Sequence, residues 1–216
     1  ADVVPEKVES LSRGEVPILE AGLDELVADG IRDGLLSFVL GAENAVTDAE
    51  FVFLCLPTPQ GADGAADLSF IKEAATQIGP HLQPETVVIN KSTVPVGSAG
   101  EVAKKLKRAD VHVVSNPEFL REGTAVDDFL NPDRVVIGAD DPGAAERVAS
   151  LYEKLPGEVL ITDPASAETI KYASNAFLAT KISFVNAMAA VCEEVGADVS
   201  DVVKGMGLDQ RIGNRF

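Results

Sequence analysis

The chain has 216 residues, 46% hydrophobic and 25% charged, the make-up of a folded globular protein. Its 18 Lys and Arg against 35 Asp and Glu leave a net charge of −17, which repels phosphate backbones and disfavours sequence-independent nucleic-acid binding, although placed cations can still hold one small phosphorylated molecule. Two cysteines are too few for a disulfide scaffold, so a reducing cytoplasm is expected.

In chain order, Asp2 comes first, followed by Pro5-Glu6-Lys7-Val8 opening a helix. No signal peptide is expected in residues 1–10, and no apolar run reaches the ~18 residues of a membrane span, so no membrane partner is expected. Short apolar runs rich in β-branched residues follow at 51–56, 86–90, 111–115, 134–138 and, more weakly, 159–162. They lack strict alternation and so predict strands covered on both faces, as in a parallel sheet. Helical patterns at 67–79, 98–108 and 140–155 separate them. This rhythm predicts an α/β fold with a doubly wound, Rossmann-like parallel sheet over 1–164. Residues 165–195 contain neither Pro nor Gly and predict one long helix, which opens a second, helical domain over 165–216. Gly196 stops it, and Asp198 caps a short helix through Lys204.

Loops at strand ends hold the candidate chemistry, because ligands of such sheets bind at the carboxyl edge. Leu56-Pro57-Thr58-Pro59 makes a rigid turn after the first strand, and Lys91-Ser92-Thr93 offers two hydroxyls and an ammonium after the second, able to order a water and a diphosphate. After the third strand comes Asn116-Pro117-Glu118-Phe119-Leu120-Arg121-Glu122-Gly123, in which desolvation would suit Glu118 to general-base work. Lys171 and Asn175 stand i, i+4 on the long helix, where an ammonium and an amide on one face suit an oxyanion site. Each of these also reads, taken alone, as an ordinary turn or solvated stripe, and Asp2 alone reads as a solvated terminal residue. Cys55 and Cys192 read as packing residues, His81 and His112 have no partner pattern, and no spacing suggests a metal site.

Taken in order, the motifs Leu56-Pro-Thr-Pro, Lys91-Ser-Thr-Val-Pro-Val-Gly, Asn116-Pro-Glu-Phe-Leu-Arg-Glu-Gly, Asn131-Pro-Asp-Arg, Lys171-Tyr-Ala-Ser-Asn-Ala-Phe and Arg211-Ile-Gly-Asn closely resemble the nucleotide-sugar dehydrogenases. Within them the match is to the UDP-glucose 6-dehydrogenase branch rather than to the GDP-mannose or UDP-acetylhexosamine branches, and it runs from Asp2 to Phe216. The resemblance implies an NAD-dependent, four-electron oxidation of UDP-glucose to UDP-glucuronate through a cysteine thiohemiacetal and thioester, in a homodimer or higher homo-oligomer. It implies Glu118 as base for the hydrolytic water, Lys171 and Asn175 as holders of the oxyanion, and Thr93 as the residue that orders a water. Cofactor positions implied are Asp2, Lys7, Cys55, Leu56, Pro57, Thr58, Pro59, Ser92, Thr93 and Glu122. Substrate positions implied are Glu118, Phe119, Leu120, Arg121 and Glu122, with Lys171 and Asn175, and Arg211 reaching a neighbouring subunit's substrate.

Three family parts are not in the sequence: the glycine-rich first βα unit, the Gly-Gly-Ser-Cys loop with its nucleophile, and the final UDP-binding domain. The 216 residues are therefore expected to be the middle of a longer enzyme, inactive alone. Ala21 also replaces a Pro usual in the family's Pro-Ile-Tyr-Glu-Pro-Gly-Leu, which loosens that turn. The competing reading is a non-catalytic nucleotide-binding or assembly module.

Overall fold

The structure is a computed structural model that describes residues 1–62 and 64–213. The chain divides into two compact units, Ala1–Lys171 and Tyr172–Phe216. The first opens with α1 (Pro5–Ser12) and α2 (Leu23–Arg32). It continues with a sheet of β1 (Phe51–Leu54), β2 (Val87–Asn90), β3 (His112–Ser115), β4 (Arg134–Ala139) and β5 (Glu158–Thr162), ordered β1-β2-β3-β4-β5. Between the strands run α3 (Ser69–Ile78), α4 (Ser98–Leu106), the short α5 (Ala125–Leu130) and α6 (Pro142–Ser150).

β2 and the centre of β4 are buried on both faces, as a sheet between helix layers requires, but β5, expected to be covered in the same way, lies at the sheet edge and leaves Val159, Leu160 and Ile161 exposed. On one face Leu54 and Val88 pack with Ile71, Ala75 and Ile78 of α3 and Val102 and Leu106 of α4. On the other, Val87, Ile89, Val114, Val135 and Ile137 pack with Ala144, Ala145 and Val148 of α6 and with Tyr152. The sheet is not wholly parallel. β1, β2 and β3 are parallel and β4 and β5 are parallel, but β4 runs antiparallel to β3. The connection between β3 and β4, residues 116–133, holds the short α5. β1 stops at Leu54 rather than at 56, because the turn ahead of Pro57 takes over. Cys55 thus lies past the strand and is exposed, not an interior packing residue, whereas Cys192 is buried.

The long helix α7 spans Pro164–Val195, one residue longer at its start than the pattern predicted. Asp163 caps it, its carboxylate accepting from Ser166 N at 2.8 Å and from Ser166 Oγ at 2.6 Å. Its first turn packs tightly on β4: a Cβ at Gly138 would come within 2.5 Å of the Ala167 Cβ, so only glycine fits there. The absence of an apolar run of membrane length needs correcting. An 18-residue window of α7 has a mean hydropathy of 1.3 and is 6% buried, so this helix is long and apolar enough to cross a membrane. Polar residues such as Thr180 and Asn186 interrupt the run without lowering its average enough, which is why a search for unbroken stretches passes over it. α8 (Val199–Gly207) follows, with Asp198 Oδ1 accepting from Ser200 N at 2.7 Å as its cap.

Candidate active site at the carboxyl edge of the sheet

The parallel strands β1, β2 and β3 end side by side, so the loops that follow them meet along one edge. Ser92 stitches the first two. Its Oγ accepts from Leu56 N at 2.8 Å and directs its proton toward Leu56 O (2.7 Å) and Leu54 O (3.2 Å). Thr58 Oγ1 donates to Thr93 O at 2.9 Å. Ser92 and Thr58 therefore fix the prolyl turn 55–59 against the 91–95 loop and leave the edges of Cys55, Pro57 and Pro59 exposed. Asp2 sits in a separate two-segment bridge with Leu40, its N–H donating to Val39 O and its carbonyl accepting from Gly41 N. Its carboxylate pairs with Lys7 Nζ at 2.5 Å and accepts from Val4 N, and the Lys7 hydrogen bond holds it below the usual carboxylate range.

Under the lip lies a buried polar hub on Asn116. Its N–H donates to Asn90 O at 2.9 Å and its Nδ2 to Val136 O at 2.8 Å. Its Oδ1 accepts from Tyr152 OH at 2.5 Å and from Lys91 Nζ at 3.1 Å. Lys91 also reaches Tyr152 OH at 3.5 Å and stands 5.7 Å from the centre of its ring. Burial pushes the Lys91 ammonium down to about 8, with Cys55 and Glu118 raising it and Lys171 lowering it. Burial likewise pushes the Tyr152 phenol up to about 12, and it raises the Cys55 thiol, whose surroundings are desolvated although the residue has an exposed edge. Lys91 thus points into the sheet end, not out toward a diphosphate.

Two residues beyond the hub, Glu118 Oε1 accepts from Lys171 Nζ at 3.0 Å, and its Oε2 accepts from Leu120 N at 2.6 Å. The Lys171 side chain is 7% exposed and that of Glu118 30%. Glu118 is therefore not an isolated carboxylate between Pro and Phe but one half of an ion pair. The Phe119 ring lies 5.3 Å from the Lys171 ammonium and 3.9 Å from the Arg134 guanidinium. Arg121 turns away into a two-point pair with Asp128, which also accepts from Arg121 N and holds its own pKa at about 2, chiefly through that arginine. Glu122 is exposed. The second unit holds the other candidates. Asn175 is exposed on α7, one turn past Lys171, and Arg211 pairs with Asp209 at 2.7 Å. Asn214 of the C-terminal motif lies outside the described residues.

One residue escaped the sequence reading. Glu168 of α7 is 2% exposed. Its carboxylate accepts from Gly97 N at 2.6 Å, Ala99 N at 3.0 Å and Ser115 Oγ at 3.0 Å. It caps α4, whose first N–H groups carry the positive end of the helix dipole. Gly97, at φ +95°, supplies the left-handed turn that aims its N–H at the carboxylate. The signal was present: Glu168 and Lys171 are i, i+3 on one helix face, both polar among apolar neighbours. From that face they grip the 91–97 loop and the 116–122 loop respectively.

Residues 1–156 match the NAD-binding domain of the UDP-glucose/GDP-mannose dehydrogenase family, and residues 165–216 match that family's central domain. The chain belongs to this family. It is 48% identical over 220 residues to the UDP-glucose 6-dehydrogenase of Rhizobium meliloti strain 1021, covering 97% of this chain and 50% of that protein. The UDP-glucose 6-dehydrogenase TuaD of Bacillus subtilis strain 168 is 45% identical over 100% of this chain and 48% of its own length. A UDP-glucose dehydrogenase structure from the archaeon Pyrobaculum islandicum superposes with a TM-score of 0.94 at 40% identity, covering 99% of this chain and 51% of that one. GDP-mannose dehydrogenase from Pseudomonas aeruginosa does so at 0.92 and 30% identity, covering 98% and 51%. The chain thus spans about half the length of the relatives it matches. In the NAD-binding domain the prolyl and Ser-Thr loops are tied together at the carboxyl edge of parallel strands, and Asp2 stands apart in its bridge with Leu40. Among the described residues no group of His, Cys, Asp or Glu could hold a metal ion.

Proposed function

We propose that this chain is the NAD-binding and central portion of a cytoplasmic UDP-glucose 6-dehydrogenase, which oxidises the sugar C6 alcohol to a carboxylate. In this reading the NAD-binding domain spans 1–164 and the central domain 165–216. The observation that carries the reading is the Lys171–Glu118 pair, 3.0 Å apart beside the tied loops at the sheet edge. NAD, when bound, supplies the hydride acceptor. Asp2, steadied by Lys7, would receive the ribose hydroxyls, and the 55–59 turn with Ser92, Thr93 and Glu122 would line the remainder of the cofactor.

In this reading Lys171 presents a preorganised cation to the oxygen at C6. Its charge is already desolvated and oriented by Glu118 and Phe119, so little reorganisation accompanies the growth of negative charge. Asn175 would add a neutral hydrogen bond. Glu118 would take the proton of the hydrolytic water, which Thr93 helps to order, once a thioester has formed on a cysteine outside this chain. Phe119, Leu120, Arg121 and Glu122 would flank the sugar, and Arg211 would reach a neighbouring subunit's substrate. The whole protein would be a homodimer built on α7, where Phe177, Phe184, Val191 and Val195 are exposed.

The test is the full-length enzyme with UDP-glucose, followed by NADH absorbance and product mass. Two NADH per UDP-glucuronate are expected, with GDP-mannose and UDP-N-acetylhexosamines turned over far more slowly. Lys171→Ala should lower kcat by about 10²–10³ and change KM less, and Glu118→Gln should accumulate the thioester adduct. A Lys171→Ala enzyme with raised KM and unchanged kcat would show that Lys171 only binds substrate.

A further inference from the structure

Lys91 belongs to the strand-end loop that reads, from sequence, as a phosphate-side ammonium, yet its side chain is turned back under the loop. Its Nζ donates to Asn116 Oδ1 at 3.1 Å and reaches Tyr152 OH at 3.5 Å. Tyr152 spends its own proton on Asn116 Oδ1, so its oxygen is left to accept from Lys91. Asn116 is held at its N–H, its Nδ2 and its Oδ1, and Pro117 stiffens the single residue that separates it from Glu118. Lys91 thus shares with Tyr152 the side-chain oxygen of a residue two positions before Glu118.

We propose that Lys91 is a positioning residue for the Glu118–Lys171 pair: through Asn116 it sets where Glu118 sits, and its own charge decides whether that carboxylate faces two cations or one. This deepens the dehydrogenase reading and rests on it only for its effect on turnover. Tyr152 after α6 contacts Lys91, and the charges that act on it are Cys55 after β1, Glu118 after β3 and Lys171 on α7. Burial brings the Lys91 ammonium to about 8, so its charge is present at pH 7 and mostly gone at pH 9. Above that range Lys171 is the remaining partner of Glu118, and the carboxylate is drawn toward it alone. A lysine whose work was to fill space between Tyr152 and Asn116 would leave no such pH dependence on Glu118.

The test is trace acetylation of the full-length protein with labelled acetic anhydride across pH 6–11, read by peptide mass spectrometry as the reactivity of each lysine. Lys91 should show a midpoint well below that of the surface lysines. Glu118→Gln should lower that midpoint, and Lys171→Met should raise it, each by about half a pH unit. On the kinetic side, Lys91→Arg fixes the charge and should abolish the alkaline limb of kcat near pH 8, while Lys91→Met should lower kcat at pH 7 with KM for UDP-glucose little changed. A Lys91 midpoint that coincides with the surface lysines, or that ignores both Glu118→Gln and Lys171→Met, overturns the proposal whether or not the enzyme turns over. A midpoint that responds as expected in a protein that does not oxidise UDP-glucose overturns the functional reading and leaves the coupling standing.

Discussion

Replacing Glu168 by Ala removes a buried carboxylate that three donors share. Gly97 N, Ala99 N and Ser115 Oγ lie 2.6, 3.0 and 3.0 Å from it, and Ser115 is itself 1% exposed. Each donor left without a partner in a dry site costs ~1–2 kcal/mol, so the variant should lose about 3–6 kcal/mol of unfolding free energy. That is a large part of the ~5–15 kcal/mol of a typical domain. Glu168→Gln is the finer probe. Its single amide oxygen can still accept from Ala99 N and Ser115 Oγ, but its NH2 would face Gly97 N–H, donor against donor, for a loss of roughly 1–3 kcal/mol. Urea unfolding followed by far-UV circular dichroism gives both values, with an exposed carboxylate variant such as Glu158→Ala as the control expected within ~0.5 kcal/mol of the parent. Amide exchange at Gly97 and Ala99 should quicken in both Glu168 variants. A loss below ~1 kcal/mol for Glu168→Ala, with those amides still protected, would refute the reasoning and mean that α4 is capped in some other way.

Other measurements follow from the same geometry. Tyr152 has a folded pKa raised from 10.0 to about 12, so its stabilising contribution is whole below pH 10 and is lost as the pH climbs through 12; Tyr152→Phe should flatten that alkaline loss while costing ~1 kcal/mol at pH 7, and an unchanged alkaline profile would count against it. Asp128 has a folded pKa lowered from 3.8 to about 2, so its contribution is present above pH 4 and lost as the pH falls through 2; in Arg121→Ala its carboxyl 13C titration should return toward 3.8, and a midpoint that stays near 2 would show that Arg121 is not the cause. Sedimentation should show the full-length protein as a dimer at micromolar concentration, weakened by Phe177→Glu and Phe184→Glu together, whereas a monomer at every concentration would remove α7 from that role.

Much of the fold was legible because it follows from local chemistry. Val87, Val88 and Ile89 carry no alternation, and a run buried on both faces is what a sheet between helices demands. The 32 residues of α7 contain no breaker after Pro164 until Gly196, so its extent could be read to within a residue. The candidate site was legible as an ordered set of strand-end loops, since the carboxyl edge of such a sheet is where the next loop must emerge. The β3–β4 reversal was not legible, because an apolar run reads the same in either direction and only pairing in the assembled sheet sets it.

Side-chain direction is where tertiary structure alone decided the outcome. Sequence placed Lys91 beside Ser92 and Thr93 as three groups able to order a water and a diphosphate, but their side chains part company: Ser92 folds back on the Leu56 backbone and Lys91 turns to Asn116 and Tyr152. Glu118 looked like a carboxylate isolated by Pro and Phe until α7, more than fifty positions on, brought Lys171 within 3.0 Å. Glu168 looked like one acid among 35 until the same helix set it against the first amides of α4. Periodicity and turn chemistry are properties of neighbours in the chain, and so the sequence alone determines them. Which charge meets which donor depends on contacts between residues far apart in the chain, and these exist only once the strand ends have met Glu168 and Lys171.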